Sequence, residues 1–118
     1  MTLVDTSVWI NHLRKPEPGL IQLLANGLAG VHPYVLGELA CGNLKDREQT
    51  LRLLRALPQA PVAGEAEIYY LLDTHRLSGT GLGWVDLHLL ASAAVVGWHL
   101  MTADDAMKRA AVKAGIRH

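Results

Sequence analysis

The sequence predicts an α/β fold in which helices flank a short parallel sheet. Leu3-Val4 and Trp98–Met101 are short apolar runs with the length of buried strands, and Val31-His32 is a third candidate strand. Segments with apolar residues at helical spacing separate these runs. Strands that alternate with helices favour parallel pairing through right-handed crossovers, because each helix carries the chain back across the sheet.

The same periodicity, together with proline and glycine stops, predicts the helices. Pro16 and Pro18 end the first helix, and Pro33 suits the first turn of the third. The last helix but one is almost wholly apolar, which indicates a buried element. The predicted helices cover Thr6–Arg14, Leu20–Leu28, Pro33–Cys41, Leu44–Leu57, Glu65–Leu77, Val85–Val96 and Asp105–Ala114.

Length and composition predict one globular domain over residues 1–118, with 50% hydrophobic residues and a formal net charge of zero. No apolar run is long enough for a membrane span, and the first residues lack a signal-peptide pattern. Cys41 is the only cysteine, which excludes an internal disulfide. We therefore expect a cytoplasmic protein with no membrane partner. Zero net charge argues against binding nucleic acid through bulk charge, so any such contact must be local.

Two acids follow predicted strands. Asp5 comes directly after the first strand, and Asp104 comes shortly after Met101. The carboxyl ends of parallel strands share one edge of the sheet, where ligands of open α/β sheets bind. Each acid also precedes a helix and suits an N-cap, so both interpretations stay open.

Two further acids lie in apolar helices. Glu38 is the only ionisable residue between Tyr34 and Gly42, and Asp86 lies on the side of Val85–Val96 that also carries Leu89 and Leu90. A buried, unpaired carboxylate costs several kcal/mol unless it binds a partner or a metal. The alternatives are that the Glu38 face reaches solvent and that Asp86 only interacts with its helix dipole.

Four converging carboxylates would repel one another and raise their own pKa values. A hard divalent cation relieves this repulsion, and Mg²⁺, with Mn²⁺ as a substitute, prefers oxygen ligands and acts on phosphates. The histidines show no spacing typical of a transition-metal site, so we expect each to be a surface or singly hydrogen-bonded residue. They are His12, His32, His75, His88, His99 and His118.

Four segments carry these acids, and they cover nearly the whole chain in order. They are Leu3–Ile10, His32–Leu39, Gly83–Ala93 and Leu100–Asp104. In their order and spacing they resemble the PIN domain family and, within it, the VapC toxins of bacterial toxin–antitoxin pairs. The resemblance implies a PIN-like three-layer sandwich with a central short parallel sheet. It also implies a metal-dependent endoribonuclease held inactive by a VapB-type antitoxin.

The resemblance also assigns roles to single residues. Asp5, Glu38, Asp86 and Asp104 match the acidic quartet of the family as metal ligands and catalytic residues. Ser7 and Thr102 match hydroxyl positions that orient the acids or the metal-bound water. Asp105 is a second candidate beside Asp104. Because Asp104 shares the register of Thr102 in an extended chain, we expect Asp105 to be the helix N-cap instead. The chain stops at His118, about where a last short strand would lie.

The implied chemistry is hydrolysis of an RNA phosphodiester by water, which leaves a 5′-phosphate and a 3′-hydroxyl. Transfer RNA or ribosomal RNA is the substrate that the family suggests. Similarity to VapC further implies a homodimer and an antitoxin segment lying in an apolar groove among the first helices.

Other functions fit the sequence less well. A haloacid-dehalogenase-type phosphatase needs a second Asp two residues after the first, and Ser7 stands there. The glycines of Gly79–Gly83 follow a helix rather than a strand, so they suit a tight turn before Asp86 better than a dinucleotide site. A non-catalytic PIN-like module that binds RNA or protein remains the alternative outside enzymes.

Overall fold

The computed structural model describes all residues from 1 to 118, with a three-stranded parallel sheet at its centre. The strands are β1 (Thr2–Val4), β2 (Ala29–Gly30) and β3 (His99–Met101), in the order β2-β1-β3. Thr2 is opposite both Ala29 and His99, so the three strands are in register at their first residues. The predicted α/β fold with a short parallel sheet is confirmed.

Seven helices surround this sheet, and each begins and ends within three residues of its predicted bounds. The first helix spans the predicted range. The helices are α1 (Thr6–Arg14), α2 (Pro18–Ala25), α3 (Pro33–Ala40), α4 (Arg47–Arg55), α5 (Glu65–Thr74), α6 (Trp84–Val96) and α7 (Asp105–Lys113). None of them combines the length and hydropathy needed to cross a membrane.

The second strand was misplaced by two residues. It occupies Ala29–Gly30, and Val31 makes only an isolated bridge to Gln59. Gly30 belongs in the strand because Trp98 packs against it: a Cβ on Gly30 would lie 2.5 Å from Cζ3 of Trp98. Glycine lacks the side chain by which strand periodicity is recognised, so the pattern pointed to the next residues instead.

The strand order places the helices on both faces of the sheet. The connection from β1 to β2 contains α1 and α2, and the connection from β2 to β3 contains α3 to α6 and runs in the opposite direction across the sheet. Right-handed crossovers in opposite directions cover opposite faces. The carboxyl ends of β1 and β3 therefore meet where the strand order reverses, which is the usual ligand crevice of open α/β sheets.

The core lies between the sheet and its helices. Leu3, Val4 and Leu100 of the strands are almost completely buried, as are Leu89 and Leu90 of α6. After α7 the chain returns to the sheet edge, where the N–H of Leu100 donates to the carbonyl of Arg117 at 2.7 Å. A rigid sheet of this kind fixes the direction of the loops that leave its carboxyl edge.

Candidate active site

Asp5 lies at the end of β1 and is almost completely buried. Its Oδ1 accepts from the N–H of Thr6 at 2.7 Å, so it caps α1. Its Oδ2 accepts from the hydroxyl of Thr102 at 2.7 Å and from that of Ser7 at 3.3 Å. Burial raises the pKa of Asp5, the Glu38 charge adds to the rise, and the three hydrogen bonds oppose it. Asp5 therefore caps α1 and at the same time lies at the carboxyl edge of the sheet.

Ser7 and Thr102 join the two strand ends. The hydroxyl of Ser7 accepts from the N–H of Ala103 at 3.2 Å, and that of Thr102 accepts from the N–H of Asp104 at 3.1 Å. Since both hydroxyls donate to Asp5, each bridges this carboxylate to the loop after β3. The arrangement holds the Asp5 carboxylate in one orientation, as expected of residues that position an acid.

Glu38 is exposed, and the expectation that it is buried was wrong. The face of α3 that carries it opens to solvent, since Tyr34 and Cys41, its neighbours on that face, are exposed too. Glu38 is nevertheless tied to β1, since its Oε1 accepts from the hydroxyl of Thr6 at 2.8 Å. Its charge also contributes to the raised pKa of Asp5.

Asp86 is half-buried in the first turn of α6. Its Oδ2 accepts from the N–H of Gly83 at 2.9 Å, so it stabilises the start of the helix. Burial raises the pKa of Asp86, and the charges of Asp5 and Asp104 raise it further, against the effect of the Gly83 bond. The helix-terminus interpretation is therefore confirmed for this residue, and the shared-site interpretation stays a prediction.

The glycines before Asp86 allow the chain to turn tightly into α6. Gly79 and Gly81 have φ values of 71° and 90°, which side chains with a Cβ rarely adopt. They form a loop rather than a strand-to-helix phosphate cradle, as expected from their place after a helix.

Asp104, not Asp105, is the N-cap of α7, so the expectation that Asp105 caps the helix was wrong. Oδ1 of Asp104 accepts from the N–H groups of Ala106 at 2.8 Å and Met107 at 3.4 Å. Asp105 is the first residue of the helix, exposed and 3.9 Å from Nζ of Lys108. The helix begins at Asp105, as its apolar pattern predicted, so its cap lies one residue earlier than the register of Thr102 implied.

This correction changes the expected stabilities. Asp104→Ala should lower the free energy of unfolding by about 0.5–2 kcal/mol, because it removes an N-cap, while Asp104→Asn retains a good cap and should change it little. Asp105→Ala should have almost no effect, since its ion pair is exposed. Urea unfolding of the three variants measures this. A larger loss from Asp105→Ala than from Asp104→Ala would contradict the observed cap.

No basic residue pairs with these four acids, since the only salt bridge in the chain joins Lys108 to Asp105. The acids form no ready-made cage either, because no group of three or more His, Cys, Asp or Glu residues is close enough to hold a metal ion. The donor set nevertheless fits Mg²⁺. This ion keeps several of its waters and takes only one or two carboxylates directly. Four oxygen-bearing acids without counter-charges suit such a loosely held, hydrated cation.

His32 is a structural residue that the sequence did not reveal. It is completely buried, and its Nδ1 accepts from the N–H of Tyr34 at 3.0 Å, which caps α3. Its Nε2 lies 3.1 Å from the hydroxyl of Ser92. Burial, and to a lesser extent His88, lowers the pKa of His32 to about 4. The expectation of a surface or singly bonded histidine was wrong. Its position directly before Pro33 at the helix start was the available signal.

Comparison with known proteins places these features in a family. The model of the PIN domain family matches residues 2–113. The chain is also 47% identical over 117 residues to Ribonuclease VapC32 of Mycobacterium tuberculosis, in strains CDC 1551 / Oshkosh and ATCC 25618 / H37Rv. The match covers 98% of this chain and 94% of each relative. With its parallel sheet and acids at the carboxyl edge, the chain belongs to the PIN domain family.

Proposed function

We propose that this protein is a metal-dependent endoribonuclease and the toxin of a toxin–antitoxin pair. The observation that carries the proposal is the pair of acids at the reversal point of the sheet, Asp5 after β1 and Asp104 after β3, with Glu38 tied to Thr6 beside them and no counter-charge on any of the three. The 47% identity to a protein named a ribonuclease supports RNA as the substrate. Transfer RNA or ribosomal RNA is the substrate class, and the cytoplasm is the location we propose.

We assign cation binding to Asp5, Glu38, Asp86 and Asp104, with Mg²⁺ as the proposed ion and Mn²⁺ as its substitute. When bound, such a cation lowers the pKa of water and offsets the charge that grows on the phosphate. The residues of the chain supply the framework. Ser7 and Thr102 hold the Asp5 carboxylate in place, while the caps at Asp86 and Asp104 fix the starts of α6 and α7.

The two buried histidines next to Tyr34 do not provide a metal-independent route. His32 and His88 lie with ring centroids 6.4 Å apart, but both are buried, and the nitrogens of His32 already bond to Tyr34 and Ser92. Cleavage through the 2′-hydroxyl needs an accessible acid and an accessible base. We therefore assign attack to water, with 5′-phosphate and 3′-hydroxyl products.

The direct test is cleavage of total transfer RNA and ribosomal RNA by the purified protein in Mg²⁺, with EDTA as the control. We expect cleavage only with the metal, and fragments whose 5′ ends are accepted by a ligase without prior phosphorylation. Equal cleavage in EDTA would mean that the reaction does not depend on a metal. Tight binding of RNA without cleavage would favour the non-catalytic PIN-like module.

The proposed VapB-type antitoxin has a suitable groove. A cavity of about 400 Å³ lies between α1 and the end of α3, and the exposed side chains of Ile10 and Leu13 make it partly apolar. Glu38 lines the same cavity. An apolar antitoxin segment with a basic side chain would fill the groove and pair with this carboxylate, which would block the site.

Leu13→Glu should therefore weaken inhibition by the antitoxin without weakening RNA cleavage, because Leu13 lines the groove but is not one of the four proposed metal ligands. The measurement is the antitoxin concentration that halves cleavage. An exposed apolar residue elsewhere, Leu53 of α4, gives the control variant Leu53→Glu. Unchanged inhibition of Leu13→Glu would place the antitoxin elsewhere.

We also propose a homodimer. Tyr70 and Val95 are strongly exposed and line an apolar groove of about 430 Å³ on α5 and α6. Large apolar side chains at the surface favour contact with another protein surface. Light scattering measures the mass, and Val95→Glu should lower it to that of one chain.

A further inference from the structure

A continuous patch of aromatic rings lies on α3, α5 and α6. Tyr69 lies 5.6 Å from Trp84 between ring centroids, and Trp84 lies 5.1 Å from His88. His88 in turn lies 4.7 Å from Tyr34, which is 5.0 Å from His32. The two histidines are buried, so they form the floor on which the outer rings rest.

The outer rings of this patch are open to solvent. Trp84 is 44% exposed, Tyr69 is 48% exposed and Tyr34 is 38% exposed. The chain has only three tryptophans, three tyrosines and no phenylalanine, so half of its aromatic residues are at this one place on the surface. Burial of an aromatic ring is strongly stabilising, so a cluster left exposed indicates contact with a ligand.

The patch is continuous with the candidate active site. Tyr34 lies four residues before Glu38 on α3, which makes the two side chains neighbours on one face of the helix. Trp84 lies two residues before Asp86, on the opposite side of the first turn of α6. Both rings contact His88, so the patch meets the site through Tyr34 and Glu38 rather than through Asp86.

We propose that Trp84 and Tyr34 form a stacking platform for an unpaired base of the RNA next to the carboxylate site. The proposal rests on the proposed function, and it narrows the substrate to single-stranded or loop RNA. Bases in a duplex already stack on their neighbours, whereas splayed bases stack on aromatic side chains. Tyr69 supports Trp84 from the side.

The charges around the patch favour a base over a phosphate. The platform itself carries no basic side chain. Glu65 and Asp73 lie four residues on either side of Tyr69 along α5, so that edge repels phosphates. Any nucleobase can still stack on an uncharged ring whose face is accessible.

The test is binding of a fluorescein-labelled, single-stranded RNA, measured by anisotropy in Mg²⁺. The full chain carries Asp86→Asn in every arm to keep the RNA intact, and a gel checks that it stays intact. Trp84→Leu keeps an apolar side chain but loses the stacking face, and we expect its Kd to rise by about 5- to 150-fold. Tyr34→Leu should act in the same direction. Trp84→Phe keeps an aromatic ring at this position, so its Kd should stay close to that of the parent.

The matched control is Leu53→Ala, an exposed apolar residue of α4 that lies outside the patch and outside the proposed dimer groove. Its Kd should be unchanged, and duplex RNA should not distinguish Trp84→Leu from the parent. If the parent binds single-stranded RNA and Trp84→Leu binds it equally well, the platform is wrong and the proposed function stands. If neither this background nor the unsubstituted chain in Ca²⁺, which should support little cleavage, binds RNA, both are wrong. If Trp84→Leu instead changes the mass in light scattering, the patch is an interface between copies and the platform is overturned.

Discussion

Asp86→Asn should abolish RNA cleavage and leave the metal-free protein at least as stable as the parent. The amide oxygen of asparagine accepts the N–H of Gly83 as the carboxylate does at 2.9 Å, so the start of α6 is kept. The substitution also removes a negative charge that burial and the charges of Asp5 and Asp104 make unfavourable. Loss of activity should exceed the about 10–100-fold that supporting residues around a metal contribute. Glu38→Gln should behave in the same way, since its amide keeps the bond from Thr6.

The stability gain has a definite pH dependence. Because the pKa of Asp86 in the folded protein lies above its ordinary value of 3.8, the folded state holds this proton more tightly than the unfolded chain. The free energy of unfolding of the parent therefore falls as the pH rises through the folded pKa. In EDTA, the difference between Asp86→Asn and the parent should be largest at neutral pH and should vanish below pH 3.8.

Urea unfolding in EDTA and RNA cleavage in Mg²⁺ measure the two sides of this prediction. Asp73→Asn, the same substitution at an exposed position of α5, is the control that should change neither. Full cleavage by Asp86→Asn would remove this acid from the site. A large loss of stability in EDTA would mean that its role is structural.

The sequence predicts most of the fold because its signals are local. Apolar periodicity, together with prolines at helix starts, placed all seven helices within three residues. The second strand was misplaced because Gly30 is there to accommodate Trp98, a contact between residues far apart in the chain. Local patterns carry no information about such a contact.

The candidate site shows the same limit. Apolar neighbours on α3 suggested that Glu38 is buried, but exposure depends on what packs across the helix, and nothing covers that face. The prediction assigned different roles to Asp104 and Asp105 by assuming an extended chain after Thr102. In the structure the hydroxyl of Thr102 donates to Asp5 and accepts from the N–H of Asp104, and the chain turns before Asp105. A capping role does not exclude a site role for Asp5 or Asp86, because a carboxylate has two oxygens and a charge that acts at a distance.

Mg²⁺ or Mn²⁺ should raise the unfolding temperature, because a ligand that binds only the native state stabilises it by mass action. At a concentration of about 100 times Kd the gain is about 2.7 kcal/mol, which corresponds to roughly 10 °C for a domain of this size. The cation must displace protons from carboxylates whose pKa burial has raised, above all Asp5 and Asp86. The temperature shift should therefore be small in acid, grow as the pH rises through the folded pKa values, and level off above them.

Differential scanning calorimetry over a pH series, with and without the cation, measures this shift. Asp86→Asn should lose most of it, whereas Asp73→Asn should keep it, because Asp73 lies outside the four acids. Ca²⁺ should also raise the unfolding temperature yet support little cleavage, since it accepts looser coordination than Mg²⁺. An equal shift in Asp86→Asn would mean that the cation binds elsewhere on the surface. If titration calorimetry detected no divalent cation bound to the protein even with RNA present, the carboxylates would have no metal to hold and the proposed hydrolysis would be wrong.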